Sequence, residues 1–459
     1  MKMDVFVRRT RINAPAAEVF RWHARPGALE RLTPPWEPVE VVEHTGGIEN
    51  GARVVLRVRI GPFAQRWVSE HRDYQEGRQF RDVQVEGPFA RWEHTHRIEP
   101  DGPSACSLED HIEYALPLGA LGQLGEGFVR QKLERMFAYR HRITVGDTEM
   151  QARYEGVPPM KVLVSGASGL IGSALVPLLA TGGHVVIRLV RLPPKPGAVE
   201  IHWDPASGIR DPAQLEGLDA VVHLAGENIA AGRWTEERKV KIRESRVQGT
   251  RTLCEALARL SQPPKVLLSA SAIGYYGDRG DEVLHEESPP GRGFLPEVCK
   301  AWEEAAAPAA QKGIRVVFPR IGIVLSPAGG ALAKMLLPFK LGAGGVIGSG
   351  KQYMSWIALD DVVGALYHAL MTDALRGPVN LVAPHPVTNS EFTRTLGQVL
   401  HRPTLLPVPA FAARLAFGEM ADDLLLASAR IEPKRLLATQ YSFRCPELAG
   451  ALRHVLGKA

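Results

Sequence analysis

Three glycines, Gly166, Gly169 and Gly172, constrain the fold of this 459-residue chain more than any other feature of its sequence. They follow the apolar run Lys161–Ser165 and precede the helix-forming stretch Leu170–Leu179. A strand, a glycine-rich turn and a helix in this order are typical of a dinucleotide pyrophosphate site. The first glycine permits a tight turn, the second lets the backbone approach phosphate, and the third lets the helix pack against the strand. The sequence therefore predicts a bound dinucleotide; the alternative is a turn with a purely structural role.

Apolar strand candidates alternate with helical stretches from Met160 onward. The strands are predicted at Lys161–Ser165, His184–Val190, Val199–Trp203, Ala220–Ala225, Lys265–Ser269 and Arg315–Leu325. The helices are predicted at Leu170–Leu179, Thr235–Leu260 and Val298–Gln311. Nearly continuous apolar strands separated by helices indicate a parallel sheet covered on both faces. We therefore expect a doubly wound α/β domain of the Rossmann type over residues 160–401, followed by a small helical domain over residues 402–459.

Residues 1–150 show a period of two instead. The clearest run alternates between two sets of positions, Trp92, His94, His96 and Ile98 against Glu93, Thr95 and Arg97. Such runs are separated by turn signals, so we expect an antiparallel meander with one buried face. A long helix is expected to pack on that face, because apolar residues keep helical spacing across residues 121–142, at Leu121, Leu124, Phe128, Val129, Leu133, Met136 and Phe137. Residues 151–159 end in two prolines and indicate a linker.

Composition excludes several classes of protein. No apolar stretch reaches the roughly 20 residues that a membrane-spanning helix needs, and the first residues lack the apolar core of a signal peptide, so a cytoplasmic protein is expected. The four cysteines form no Cys-x-x-Cys pair, so we expect buried thiols and no metal site or disulfide. The net charge of +5 comes from interspersed acids and bases, which gives no indication of a nucleic-acid partner. The oligomeric state is not determined by the sequence.

The choice of cofactor depends on the end of the second strand. In NAD-binding proteins an acidic residue about 20 positions after the glycine turn binds the ribose 2′-OH. This chain instead has the segment Arg188-Leu-Val-Arg191. Because an arginine can pair with a 2′-phosphate through charge-assisted hydrogen bonds, Arg191 favours NADP over NAD. A solvated arginine at a strand end is the alternative.

The N-terminal part resembles the polyketide-cyclase/START-like superfamily. The resemblance rests on Ile12–Phe20, Pro26–Leu29 and Leu32–Pro34, followed by the meander and the long helix. It implies an α+β helix-grip fold that encloses an apolar cavity, and hence a lipid-like or aromatic ligand. The alternative is that four large side chains simply fill the core: Trp36, Trp67, Trp92 and Phe128.

The rest of the chain resembles the atypical extended short-chain dehydrogenases known as the sugar-nucleotide-epimerase-like "epimerase family". The motifs that carry the resemblance occur in one order: the glycine turn, Val222–Asn228, Ser245-Arg246, Ser269–Ser271, Tyr275–Gly277, Trp302-Glu303, Pro319–Leu325, Leu341–Gly350, Ser355–Ile357 and Asp360-Asp361. The match includes a helical C-terminal domain around Arg430–Leu436. It implies NADP as cofactor and a small-molecule substrate that the sequence does not identify.

The resemblance also implies which residues contact the cofactor. Those on the pyrophosphate are Gly166, Ser168, Gly169, Leu170, Ile171 and Gly172. Arg191 would hold the ribose phosphate. The adenine and the nicotinamide-side ribose would lie along Ala225, Gly226 and Glu227, with further cofactor contacts from Arg246 and Ile323. Ser269 and Ser271 would end the fifth strand beside the nicotinamide.

The catalytic residues depart from the pattern of that family. Short-chain dehydrogenases normally use a Tyr-x-x-x-Lys pair, in which the ammonium lowers the tyrosine pKa. The residue four before Lys300 is Pro296, so no tyrosine acts from that position, although Lys300 remains a candidate for binding the ribose hydroxyls.

Three hypotheses for catalysis follow. In the first, Tyr275 or Tyr276 supplies the proton and Ser271 orients a carbonyl. In the second, a water molecule or a carboxylate such as Glu227 supplies the proton. In the third, the domain binds NADP without turnover, as a sensor that also responds to a lipid. We expect an NADP-dependent, epimerase-like oxidoreductase of unknown substrate, with the sensor as the alternative.

Overall fold

The structure, a computed structural model, describes residues 3–60, 63–117 and 125–458. The chain divides into two compact units at Val157–Pro158; the segment Ala180–Gly183 groups with the first unit and His184–Leu456 with the second. The predicted helical residues Leu121 and Leu124 lie outside the described residues.

In its described residues, the first unit consists of a seven-stranded antiparallel sheet and three α-helices. The strands are β1 (Asp4–Ile12), β2 (Val39–Thr45), β3 (Arg53–Ile60), β4 (Phe63–Gln75), β5 (Gln79–Glu86), β6 (Arg91–Pro100) and β7 (Cys106–Ala115). The helices are α1 (Ala16–Ala24), α2 (Ala28–Leu32) and α3 (Glu126–Ala152). The strand order is β1-β7-β6-β5-β4-β3-β2, so strands two to seven form the expected meander and the first strand returns beside the seventh.

One face of this sheet packs on α3. The predicted inward set is buried: Trp92, His94, His96 and Ile98. Apolar side chains of β1, β6 and β7 form a cluster with Leu133 and Phe137 of α3, which confirms the helix-grip fold. The helix runs on to Ala152, past the predicted end at Arg142, because its buried face continues. That face includes Asp147, which accepts two hydrogen bonds of 2.8 Å from Arg31.

The second unit contains a parallel eight-stranded sheet. The elements in the first half of the unit are β8 (Lys161–Ser165), α4 (Leu170–Thr181), β9 (Val185–Val190), β10 (Glu200–His202), β11 (Ala220–His223), α5 (Glu236–Ala258), β12 (Val266–Ser269), β13 (Ser271–Ala272), β14 (Val283–Leu284), α6 (Phe294–Glu304) and α7 (Ala307–Gln311). The elements in the second half of the unit are β15 (Arg315–Ile321), β16 (Ile323–Leu325), α8 (Gly330–Lys340), β17 (Tyr353–Met354), β18 (Trp356–Ala358), α9 (Leu359–Met371), β19 (Gly377–Leu381), β20 (Val387–Thr388), α10 (Asn389–Leu400), α11 (Ala410–Phe417), α12 (Glu419–Ala421), β21 (Arg430–Ile431), α13 (Lys434–Ala438) and α14 (Leu448–Leu456).

The strand order of this sheet creates a crevice. The order is β10-β9-β8-β11-β12-β15-β13, with β19 beside β15, and the pairings along it are parallel. The direction of winding reverses between β8 and β11, and ligands of open α/β sheets bind at the carboxyl ends of the strands at such a point. The expected Rossmann fold is confirmed, and a ligand is expected to bind at the loops after β8 and β11.

Two predicted elements are interrupted. The strand predicted over residues 315–325 splits at Gly322 into β15 and β16, because the chain there passes close to the backbone of Ser355, 2.7 Å from where a Cβ would stand. The helix predicted over residues 298–311 begins earlier, at Phe294, and breaks before Ala307. Pro308 lacks an N–H group and would clash within a continuous helix.

The helical C-terminal region shares its core with the preceding elements. Side chains of α14, including Leu452 and Val455, lie in one apolar cluster with Phe392 and Leu396 of α10 and Leu336 of α8. All four cysteines are buried, as predicted. In the part of the chain that the structure describes, every helix is too short or too polar to cross a lipid bilayer.

Candidate functional site

The glycine turn joins β8 to α4 at the crevice. Gly166 has a φ of 67°, in the left-handed region. A Cβ on Gly166 would stand 2.8 Å from the carbonyl carbon of Leu224, and one on Gly172 would stand 2.2 Å from the carbonyl oxygen of Gly166. The turn therefore approaches the loop after β11, and the helix approaches the turn, more closely than a residue with a side chain permits.

A buried serine fixes the neighbouring loop. The Ser165 hydroxyl accepts hydrogen bonds from the amides of Leu224 and Ala225, at 3.1 and 3.3 Å. Its own hydrogen is then directed to Nδ1 of His223, 2.7 Å away. Burial lowers the pKa of His223 to about 4, so the imidazole stays neutral near pH 7. The loop of residues 224–227 is thereby held against the glycine turn.

Arg246 supports this loop from α5. It donates from Nη2 to the carbonyl oxygen of Glu227 and from Nη1 to that of Ile242, both at 3.0 Å. Its guanidinium lies over the Trp302 ring, 5.0 Å from the centroid, and burial lowers its pKa. The Glu227 carboxylate pairs with Arg238 at 3.0 Å, so this candidate proton carrier is already engaged in an ion pair.

Arg191 lies at the other side of the turn, directly after β9. Its side chain is exposed, and its carbonyl oxygen accepts a hydrogen bond of 3.1 Å from Nε2 of His202. An exposed guanidinium at the carboxyl end of the second strand is available to a phosphate group.

The serine strand leads to a buried ion pair. Ser269 is fully buried, and its hydroxyl has no hydrogen-bond partner in the part of the chain that the structure describes. Ser271 donates to Oε1 of Glu303 at 2.7 Å. The same carboxylate accepts two hydrogen bonds of 2.8 Å from Arg320. Burial opposes the charge of Arg320, but its bonds with Glu303 raise its pKa above the usual range.

The candidate acid/base residues have three different environments. Tyr276 is fully buried, donates to Asn380 at 2.6 Å and accepts from Arg320 at 3.0 Å; burial raises its pKa to about 12. Lys300 has a side chain that is 61% exposed, and it lies 3.9 Å from Glu304. Tyr275 is half-buried, and the Arg320 guanidinium lies 3.5 Å from its ring centroid.

These environments discriminate among the candidates. A phenol buried in the core with both hydrogen-bonding roles filled is poorly placed to exchange a proton with a ligand, and an exposed lysine on a surface helix is poorly placed to lower a neighbour's pKa. Within the described ranges, the Tyr275 hydroxyl forms no hydrogen bond of the kind that engages Tyr276, which makes Tyr275 the better candidate. The ion pair between Glu303 and Arg320 was not predicted as part of the site. Each residue lies in a motif named above, Trp302-Glu303 or Pro319–Leu325, but the sequence does not show that the two side chains meet.

The first unit holds a separate cavity of about 520 Å³ between the sheet and α3. Ligand pockets commonly measure about 300–1,000 Å³. Trp67 and Trp92 line it with their rings packed edge to face, 5.2 Å between centroids. Trp36 packs instead against Tyr139. The aromatic residues that were candidates for filling the core therefore leave room for a ligand, and Phe128 lies on the wall.

The fold and the glycine turn define a Rossmann-type protein of the extended short-chain dehydrogenase class. Comparisons with known proteins support this class. The NAD dependent epimerase/dehydratase family matches residues 162–381, polyketide cyclases, dehydrases and lipid transport proteins match residues 12–138, and a domain of unknown function, DUF1731, matches residues 408–455. An epimerase family protein of Mycobacterium bovis is 47% identical over 291 residues, which cover 63% of this chain and 96% of the relative.

Two solved structures extend the comparison. A nucleoside-diphosphate sugar epimerase from Corynebacterium glutamicum is 35% identical, with a TM-score of 0.81 over 98% of this chain and 90% of that one. The human epimerase family protein SDR39U1, solved with NADPH, is 38% identical, with a TM-score of 0.60 over 65% of this chain and 99% of that one. The chain belongs to the epimerase family of which SDR39U1 is a member.

Proposed function

We propose that the second unit is an NADP(H)-dependent, epimerase-like oxidoreductase acting on a small molecule, and that the first unit binds an apolar ligand in its cavity. The observation that carries the proposal is the close approach of the turn, the loop after β11 and helix α4 at Gly166 and Gly172. The NADPH in the structure of human SDR39U1 supports the choice of nucleotide.

The residues at the crevice fit such a cofactor. Glycines at the turn expose backbone N–H groups at the start of α4, which are suited to a pyrophosphate. The buried Oγ of Ser269 and Nε2 of His223 have no partner among the described residues, so polar groups remain near the crevice. The proposed contacts are Gly166, Ser168, Gly169, Leu170, Ile171, Gly172, Arg191, Ala225, Gly226, Glu227, Arg246, Ser269 and Ile323.

The proposed chemistry assigns roles to two side chains. The nicotinamide supplies or accepts a hydride when bound. Ser271 donates its hydrogen to Glu303, so that hydrogen is not available to a carbonyl, as the first hypothesis required; its oxygen would instead accept from the hydroxyl of the alcohol form of the substrate. Tyr275 exchanges the proton, because no described residue takes up its hydroxyl, while the Arg320 guanidinium 3.5 Å from its ring centroid holds the ring in place.

The NADP preference is tested with Arg191→Ala. Loss of one guanidinium–phosphate interaction is expected to weaken NADPH binding about tenfold to a hundredfold, because hydrogen bonds to charged groups contribute about 1.5–3 kcal/mol. Binding of NADH, which lacks the 2′-phosphate, should change less than about twofold. Fluorescence titration of both nucleotides measures the difference.

Arg259→Ala is the matched control for Arg191→Ala. Arg259 is exposed at the C-terminal end of α5, which leads to the amino end of β12 and so to the sheet edge opposite the crevice. It should leave both affinities unchanged. Equal binding of NADPH by the Arg191→Ala and wild-type proteins would refute the proposed phosphate contact.

A second function, nucleotide binding without turnover, is favoured by the surface position of Lys300 and the burial of Tyr276. The two functions differ in what Tyr275→Phe does. For an enzyme, loss of the phenolic proton should lower kcat about 10²–10⁴-fold and leave NADPH affinity unchanged, since the ring against Arg320 remains. NADPH oxidation is followed with a panel of carbonyl compounds.

Tyr353→Phe serves as control for this substitution, because Tyr353 is half-buried and carries a guanidinium, that of Arg430, over its ring. It should retain full turnover. Tight NADPH binding with no oxidation by the wild-type protein across the panel would support the sensor instead.

A further inference from the structure

Strand register brings histidines and carboxylates together at the polar end of the N-terminal cavity. Asp82 of β5 lies directly opposite His71 of β4 on one side and His94 of β6 on the other. His96, two residues further along β6, lies opposite Asp110 of β7. Because residues two apart share a face of a strand, the rings of His94 and His96 lie side by side, with centroids 3.9 Å apart.

Three of these residues have the spacing of metal ligands. Oδ1 of Asp82 lies 3.2 Å from Nδ1 of His94 and 3.8 Å from Nε2 of His96. One donor atom from each residue lies within 4.8 Å of the other two. Tetrahedral zinc, with bonds of about 2.0–2.2 Å, holds its ligand atoms about 3.3–3.5 Å apart. Small side-chain rotations would therefore complete the site.

Asp110 lies behind both imidazoles and accepts a hydrogen bond from that of His94. Nε2 of His94 donates to its Oδ1 at 2.8 Å. Nδ1 of His96 lies 2.7 Å from the same oxygen, although not in hydrogen-bonding geometry, and Nε2 of His141 donates to Oδ2 at 2.6 Å. Metal-binding histidines usually direct their second nitrogen at a carboxylate in this way, which fixes the ring and its tautomer. Both rings thus present their other nitrogen to Asp82.

His71 supplies an independent indication of a ligand. It lies on the cavity wall and is only 8% exposed, and its buried Nδ1 has no hydrogen-bond partner among the described residues. A buried polar atom without a partner is destabilising, and a bound ion or its water would supply a partner. Asp82 itself is open to the same cavity, with 19% of its side chain exposed.

We propose that Asp82, His94 and His96 bind a divalent transition metal ion of the zinc type, with a coordination position open to the cavity. Two imidazoles and one carboxylate suit zinc and iron(II), and three protein ligands leave room for a water or a ligand oxygen. The ion would bind a carbonyl, hydroxyl or carboxylate oxygen of an otherwise apolar molecule. The sequence prediction of no metal site rested on the cysteines alone, whereas the ligands proposed here are two histidines and an aspartate.

Cobalt titration of the untagged full-length protein, first stripped with a chelator, tests the proposal. We expect one Co²⁺ per chain at micromolar concentration, with visible absorption bands that disappear on displacement by Zn²⁺. Asp82→Asn and His96→Gln should each weaken binding on the order of a hundredfold, through loss of a direct ligand. Asp110→Asn should weaken it about tenfold to a hundredfold, through loss of orientation.

His111→Gln is the control, since His111 lies on β7 outside the cluster and 3.5 Å from Glu113; it should bind Co²⁺ as the wild type does. Circular dichroism shows whether each variant folds, and the wild-type titration stands whatever the variants do. No Co²⁺ uptake by the wild type would overturn the proposal. Undiminished uptake by folded Asp82→Asn and His96→Gln proteins would overturn it equally. Neither result bears on the nucleotide site of the second unit.

Discussion

Gly172→Ala is expected to raise the Kd for NADPH by about a hundredfold or more, which corresponds to about 2.8 kcal/mol. The added methyl group would stand 2.2 Å from the carbonyl oxygen of Gly166 and 2.8 Å from Cα of Ala167. Both are backbone atoms, so the turn itself must open. Because the phosphate would be bound by the N–H groups of that turn, the substitution acts on the cofactor more than on the core. Fluorescence titration with NADPH measures the loss.

Gly450→Ala gives a matched comparison. Gly450 also lies in a helix, α14, but a Cβ there meets nothing within 4 Å. Alanine should therefore leave NADPH binding unchanged and stabilise the protein by about 0.5–1 kcal/mol. If Gly172→Ala binds NADPH as well as Gly450→Ala does, the glycine turn is not the phosphate site.

The glycine turn was predictable because its requirements are local. A strand, a tight turn and a helix each depend on residues adjacent in sequence, and β8 has the bounds that the apolar run predicted, Lys161–Ser165. The same holds for the alternation in β6, where the inward positions were correct. Both patterns express a periodicity that neighbouring residues carry together.

The proton-transfer residues were less predictable, because they depend on which face of a helix points inward. Counting from Lys300 places Pro296 at the tyrosine position. The structure buries Leu295, Pro296 and Cys299 of α6 and leaves Lys300 exposed. Successive residues of a helix differ by about 100° in direction, so Cys299 can be buried while the next residue, Lys300, faces solvent.

The register between neighbouring strands of the meander was not predictable from the sequence. Alternation predicts that His94 and His96 face inward, but it does not say that Asp82 and Asp110 stand beside them. That follows from the register of β5, β6 and β7, which depends on the turns between the strands and on packing against α3. A polar cluster on a buried face is therefore visible only once the register is known.

Glu303→Gln is expected to destabilise the second unit by about 3–5 kcal/mol, because it leaves Arg320 as an uncompensated buried charge. The side chains of Arg320 and Glu303 are 3% and 13% exposed, respectively. Arg320 also donates to Tyr276 and lies over Tyr275, so its displacement would disturb both tyrosines. Denaturant unfolding, followed by a signal specific to the second unit, measures the change, since a chain of two units need not unfold in one step.

Glu304→Gln isolates the effect of the buried ion pair. Glu304 is the next residue of α6, its side chain is 64% exposed, and it lies 3.9 Å from Lys300. An exposed pair of this kind contributes about 0–1 kcal/mol, so Glu304→Gln should unfold almost as the wild type does. The same variant should leave NADPH affinity unchanged, because the Lys300–Glu304 pair faces solvent. If Glu303→Gln costs no more than Glu304→Gln, the ion pair between α6 and β15 does not hold the serine strand in place, and Ser271 must be oriented by other contacts.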